Sequence, residues 1–139
     1  MSEAQKTVLI IDDDVLVLDT ARRLLERDGL RVLVYSEGFD ATNFAARHRP
    51  DLVLMDVNMP FLSGDNLARL FRRHEQLGTV PLVLFSSNEE GALRRMVHEV
   101  GANGYISKSE MGSGFTARIL RFLSLAQSEP PPRPSGPSS

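Results

Sequence analysis

Apolar residues come along this chain in short runs, separated by stretches with helical spacing. Residues 7 to 11 (TVLII) are almost wholly apolar and end abruptly in Asp12-Asp13-Asp14. Residues 15 to 28 carry Leu18, Ala21 and Leu25 three and four apart, with Gly29 where a helix would stop. Residues 30 to 35 (LRVLVY) predict a second strand with Val32 and Val34 on one face. Residues 38 to 49 put Ala41, Phe44, Ala45 and His48 on one helical stripe, which Pro50 ends. Residues 52 to 55 (LVLM) repeat the strand pattern, and Leu67, Leu70 and Phe71 mark a helix from about Asp65 to His74. Residues 81 to 85 (PLVLF) predict a fourth strand. Ser87 and Glu90 have capping-box spacing and open a helix that stops at Gly101. GYIS (104 to 107) leads into Lys108, and Phe115, Ile119, Phe122, Leu123 and Ala126 define a last helix.

Strands that are apolar throughout have both faces buried, which argues a parallel sheet covered by helices on either side. Right-handed crossovers make a (βα)5 doubly wound, five-stranded sheet the simplest topology. The 139 residues suit one domain with its own core, assigned to residues 1 to 127. The remainder, SEPPPRPSGPSS (128 to 139), holds five of the eight prolines and almost nothing apolar, so it is expected to be a disordered Pro/Ser-rich tail. Its PxxP spacing from Pro131 to Pro134 suits a polyproline-binding partner, although a solvated tail is the plainer reading.

Composition removes several function classes. A net charge of -2 leaves no electrostatic footprint for nucleic acid. The absence of Cys excludes disulfides, thiolate catalysis and Cys-based zinc sites, and His48, His74 and His98 lack metal-ligand spacing. The opening MSEAQKTVLI is not a signal peptide, and no apolar run approaches the roughly 20 residues of a membrane span. A cytoplasmic protein without membrane insertion is expected.

In a parallel sheet the C-terminal ends of all strands share one edge, where ligands bind. That edge collects Asp12 and Asp13 after the first strand, Asp56 after the third, Ser86 after the fourth and Lys108 after the fifth. The stretch DLVLMDVNMP (51 to 60) poses the problem sharply, because it sends Asp56 out of a dry strand into a turn at Pro60. A buried carboxylate needs a partner or a reactant. Like charges this close raise each other's pKa unless a cation neutralises them, and hard carboxylate oxygens suit Mg²⁺. Beside Mg²⁺ and an ammonium, a central carboxylate is equipped as a nucleophile toward phosphorus. Taken singly, each residue has an ordinary explanation: one of the three Asp residues as a helix cap, the Lys as a solvated charge. Five of the right type at the right strand ends do not.

These residues resemble the receiver domain of two-component response regulators over about residues 6 to 126. VLIIDDD is similar to the family's first strand and acidic pair, which implies Asp12 and Asp13 as metal-binding carboxylates. DLVLMDVNMP resembles the phosphorylation segment, implying Asp56 as phosphoacceptor and the Asn58 backbone carbonyl as a metal ligand, with Gly64 in the following loop. VPLVLFSS implies Ser86 as the switch hydroxyl, and GANGYISK implies Tyr105 as the aromatic switch and Lys108 as the phosphate-pairing lysine. Asn58 and Asn88 fall where the family's side chains flank the path of the attacking water and so tune hydrolysis. The resemblance further implies the flavodoxin-like strand order 2-1-3-4-5, Mg²⁺ as cofactor, and a monomer or weak dimer. Its partners would be a sensor histidine kinase or phosphotransfer protein and a downstream protein target. Three positions depart from the pattern: Ser109 replaces the usual Pro after the lysine, Ser87 replaces a smaller residue, and Ser63 replaces a common Asp. A cis bond before a non-proline costs about 2.5 to 4 kcal/mol, so a trans Lys108-Ser109 bond and a rearranged loop are expected.

The leading reading is a bacterial single-domain response regulator that catalyses its own phosphorylation and dephosphorylation, not an enzyme that turns over a separate substrate. Its output would be a partner face of Arg94, Arg95 and His98 beside Tyr105 and Ile106, suited to an acidic segment. The alternative is a degenerate or scaffold receiver that works by phosphorylation-independent protein interaction. An aspartyl-phosphate phosphatase of the haloacid-dehalogenase type would want a second carboxylate where Asn58 stands. An FMN-binding flavodoxin would want a phosphate-cradling loop where Asp12, Asp13 and Asp14 would repel the phosphate.

Overall fold

Five strands form one wholly parallel sheet in the order β2-β1-β3-β4-β5, in a computed structural model that describes residues 5–58 and 64–128. The strands are β1 (Thr7–Ile11), β2 (Arg31–Tyr35), β3 (Leu52–Asp56), β4 (Leu82–Ser86) and β5 (Gly104–Ser107). The helices are α1 (Val15–Arg27), α2 (Ala41–His48), α3 (Gly64–Arg73), α4 (Glu90–Val100) and α5 (Phe115–Ser128). The expected (βα)5 doubly wound sheet is therefore present. The three central strands are buried at every position, whereas the edge strands β2 and β5 are only partly covered. That is why the central three read as unbroken apolar runs.

Alternation along the strands sends side chains into two cores. Leu9, Ile11, Val53, Met55 and Leu84 meet α2, α3 and α4 on one face. Val8, Ile10, Leu54, Val83 and Phe85 meet α1 and α5 on the other. Phe71 of α3 and Phe115 of α5 are fully buried anchors of the respective layers. Replacing either by Ala would cost about 3 to 5 kcal/mol.

Helix ends follow local chemistry in most places. Asp14 caps α1, its side chain accepting from the backbone N–H groups of Leu16 and Val17. Gly101 ends α4 at φ 76, a left-handed conformation open to Gly at little cost. Three expectations need correction. The residue before α4 is Glu89, with no side-chain capping bond, so Ser87 and Glu90 form no capping box. Ser86 Oγ instead accepts the Asn88 N–H at 3.0 Å and turns the chain there, delaying the helix. Leu70 is half exposed, because Leu67, Ala68 and Phe71 fill the space under α3. Gly64 is the first residue of α3 and not part of a preceding loop. Ser128, assigned above to the tail, is the last residue of α5; Pro60, Ser63 and residues 129 to 139 lie outside the described residues.

At the N-terminal edge of the sheet, half-buried Arg72 of α3 holds three segments together. It donates to the carbonyls of Gly101 (2.9 Å), Gly78 (3.2 Å) and Val80 (2.8 Å), and to Asn103 Oδ1 (2.6 Å). Asn103 Oδ1 also accepts the Leu82 N–H at 2.9 Å, which ties the start of β4 into the same network.

Candidate functional site

Strand order reverses between β1 and β3, and the side chains just past that point form the site. Ile11 lies opposite Met55, so Asp12 and Asp56 leave the sheet side by side. Each is pinned by a local turn: Asp12 Oδ1 accepts the Asp14 N–H at 2.9 Å, and Asp56 Oδ1 accepts the Asn58 N–H at 3.2 Å. Asp12 and Asp56 are buried, Asp13 is exposed, and one carboxylate oxygen from each lies within 4.8 Å of the others. Among the described residues this is the one acidic group able to hold a metal ion.

Lys108 arrives from the end of β5, its ammonium 2.8 Å from Asp12 Oδ2 and 3.5 Å from Asp56 Oδ1, above the Phe85 ring. The approach to Asp12 is an ion pair whose direction leaves buried Oδ2 without a hydrogen bond. One ammonium faces three carboxylates. Burial pushes the Asp56 carboxyl up to about 6; Asn58 N–H and Lys108 oppose the rise, and the charges of Asp12 and Asp13 reinforce it. Burial alone would lower the Lys108 pKa, but its contacts with Asp12 and Asp56 outweigh burial and leave it raised.

Ser86 is fully buried at the end of β4. Its Oγ accepts from Asn88 N–H and, at 3.2 Å, from Asn58 Nδ2. The same Asn58 amide donates to Asn88 Oδ1 at 2.8 Å, so the two asparagines clasp across the β3 and β4 exits. Tyr105 stands on the α4 side of β5, and its hydroxyl donates to Glu90 Oε1 at 2.6 Å. Arg94 reaches that same oxygen at 2.6 Å and the tyrosine oxygen at 3.4 Å. The Tyr105 hydrogen bond, followed by the Arg94 charge, holds the Glu90 carboxyl below its usual value. Sequence reasoning missed this trio. The four-residue spacing of Glu90 and Arg94 was a legible signal, but their meeting with Tyr105 depends on how α4 lies on the sheet.

The expected partner face needs one correction. Ile106 is 0% exposed and packs in the other core, because alternation points it away from Tyr105. Arg94, Arg95 and His98 are exposed on α4, with Arg94 engaged by Glu90.

The sequence profile of the response regulator receiver domain matches residues 8–119. The chain belongs to this receiver-domain family. It is 29% identical over 127 residues to the transcriptional regulatory protein GltR of Pseudomonas aeruginosa, covering 91% of this chain and 52% of that one. It is 29% identical over 118 residues to the polar-differentiation response regulator DivK of Brucella anthropi, covering 85% and 96%. The chain thus spans about half of GltR but nearly all of DivK. The fold is also that of the chemotaxis response regulator CheY4 of Vibrio cholerae, at TM-score 0.77 and 22% identity over 86% of this chain and 99% of that one. Phosphorylation-based switching is the general function of receiver domains, which bind Mg²⁺ at an acidic pocket and interact with histidine kinases or phosphotransfer proteins and with downstream targets. Among the described residues of this receiver domain, no helix is long and apolar enough to cross a membrane.

Proposed function

We propose that this receiver domain accepts a phosphoryl group on Asp56 from the phosphohistidine of a sensor histidine kinase or phosphotransfer protein, and that its own residues catalyse both the transfer and the later hydrolysis. A carboxylate oxygen of Asp56 attacks phosphorus, and the P–N bond breaks with its electron pair left on the imidazole nitrogen. Hydrolysis then adds water at phosphorus, breaks the bond to the carboxylate oxygen and releases inorganic phosphate. The observation that carries this reading is the convergence of Asp12, Asp13 and Asp56 within 4.8 Å, with Lys108 bridging the two buried carboxylates.

The residues present fit Mg²⁺. Asp12 Oδ2 is a buried carboxylate oxygen with an ion pair to Lys108 but no hydrogen bond, and the donor set is all oxygen. Asp12, Asp13, Asp56 and the Asn58 backbone carbonyl would hold the ion, which supplies charge neutralisation to a transferring phosphoryl group. Lys108 is placed to pair with a phosphoryl oxygen on Asp56. Ser86 Oγ already accepts two hydrogen bonds, which leaves its proton free to donate to another such oxygen. The clasped amides of Asn58 and Asn88 border the approach to Asp56 and set how water reaches it. Exposed Val15 (71%), Leu16 (77%) and Phe39 (80%), on loops and helix starts at the same edge, offer apolar area to a docking phosphodonor.

The switch runs outward from Ser86. When Ser86 turns toward the phosphoryl group, Tyr105 takes the space it leaves and gives up its bond to Glu90. This reshapes a cleft of about 280 Å³ lined in part by Asn88, Glu90, Tyr105 and Arg118, beside exposed Arg94, Arg95 and His98, where an acidic segment of a downstream target would bind.

Intact-mass analysis after incubation with Mg²⁺ and a small phosphodonor tests the chemistry. One phosphoryl adduct is expected, absent in Asp56→Asn; equal yield on that variant overturns the assignment and returns the scaffold reading. The switch has its own readout, because the chain has two tyrosines and no Trp, and Tyr35→Phe leaves Tyr105 as the sole emitter. Beryllofluoride should change its emission in that background, and Ser86→Ala should blunt the change. A full response in the Ser86→Ala variant would show that the switch bypasses Ser86.

A further inference from the structure

We propose that the Ser107 hydroxyl is the positioning group for Lys108, an inference that rests on the phosphoryl-transfer reading of the site and deepens it. β5 ends at Ser107, opposite Ser86 in register. Beyond it the chain leaves the strand for a single 3-10 turn, Lys108–Glu110, closed by Met111 N–H on the Lys108 carbonyl at 3.2 Å. Ser107 opens that turn as its cap: the backbone is extended (φ -73, ψ 142) and Oγ accepts the Ser109 N–H at 3.2 Å. A second bond, 2.8 Å between the Ser107 and Ser109 hydroxyl oxygens, closes the clasp. The far end of the turn is tied separately. Glu110 accepts from Arg118 of α5 at 2.6 Å, and the same guanidinium donates to the Tyr105 carbonyl at 3.0 Å.

Lys108 thus leaves from a turn fastened at both ends. Its flexible stem reaches Asp12 and Asp56 only if the backbone at its root points toward them. The residue after it, Ser109, has no ring to restrict the turn, so the Ser107 clasp supplies that restraint. Losing a cap of this kind weakens the local conformation by roughly three- to tenfold. Ser107 acts through Lys108 and touches none of the reacting groups.

The test uses the full chain with Ser107→Ala, Ser107→Thr, Lys108→Ala and the double variant Ser107→Ala/Lys108→Ala. The first readout is the initial rate of phosphorylation by a small phosphodonor with Mg²⁺. The second, independent of that activity, is acylation of Lys108 relative to Lys6, the chain's only other lysine, read by peptide mass. Ser107→Ala should lower the rate by roughly three- to tenfold and raise the Lys108 to Lys6 labelling ratio by a similar factor. Ser107→Thr should restore both, and in the Lys108→Ala background the Ser107 change should add nothing. An unchanged labelling ratio in Ser107→Ala, or an equal proportional rate loss on top of Lys108→Ala, overturns the proposal. Failure of the wild-type chain to form any Asp56 adduct overturns the phosphoryl-transfer reading instead, and the labelling ratio still decides whether Ser107 holds Lys108.

Discussion

At the N-terminal edge of the sheet, Arg72 gives its guanidinium donors to three backbone carbonyls and Asn103, and no carboxylate pairs with it among the described residues. At the opposite edge three carboxylates face one ammonium, and the buried Asp12 Oδ2 has no hydrogen bond. Both sites put ionic groups wholly or partly out of water, but they compensate in opposite ways. Fixed dipoles satisfy the cation at one end, so burial lowers the Arg72 pKa without leaving polar atoms short of partners. At the acidic end burial, reinforced by the charges of Asp12 and Asp13, pushes Asp56 up to about 6. A satisfied buried charge serves the fold. An unsatisfied one is held ready for a ligand, and stability is lost to keep it there.

Removing the acidic excess should have the largest effect. Asp12→Ala/Asp13→Ala should weaken Mg²⁺ affinity by on the order of 100-fold or more, with the fold retained, since two of three carboxylates are gone. Calorimetric titration checks this, and undiminished binding would place the metal elsewhere.

At the satisfied end the loss should fall on stability instead. Arg72→Met strips donors from several acceptors at once and should destabilise the chain by roughly 2 to 4 kcal/mol in urea unfolding. Mg²⁺ affinity of the folded variant should stay within about twofold. A large loss of affinity there would break the separation between the two ends.

The third test turns on pH. Folded Asp56 binds its proton more tightly than the usual 3.8, so the stability associated with its neutral form is present below about pH 4 and lost as pH rises through about 6. Asp56→Asn stays uncharged throughout. In metal-free buffer at pH 7 it should be more stable than wild type by roughly 1 to 3 kcal/mol, with the gain gone below about pH 4. A pH-independent difference would show that charge is not its source.

The smallest expected effect is kinetic. Asn58→Arg and Asn88→Arg break the amide clasp beside Asp56 and put bulk on the path of water, so the phosphoryl group should decay roughly three- to tenfold more slowly in each, about 1 kcal/mol of barrier. Decay followed by intact mass at fixed Mg²⁺ decides it; unchanged lifetimes would mean that water enters by another route.

Element type, order and the buried faces could be read from the sequence, because strand and helix periodicities are local and the three central strands have no solvent face to blur them. The site edge was legible for a related reason: in a parallel sheet, position at a strand's C-terminal end already places a residue, so Asp12, Asp56, Ser86 and Lys108 could be named without coordinates. Contacts between elements were not legible. The capping box at Ser87 failed because α4 begins only at Glu90, two residues later than a cap at Ser87 requires. Ile106 was assigned to a docking surface although strand alternation turns it into the α1 and α5 core. The bonds of Arg72 to the segments before β4 and β5, of Tyr105 to Glu90, and of Glu110 to Arg118 join positions set by how helices lie on the sheet. Which groups reach the edge follows from local pattern, because periodicity repeats within a few residues. Only the tertiary packing settles how those groups pair, with Lys108 shared between Asp12 and Asp56, because that depends on distances between segments far apart in the chain.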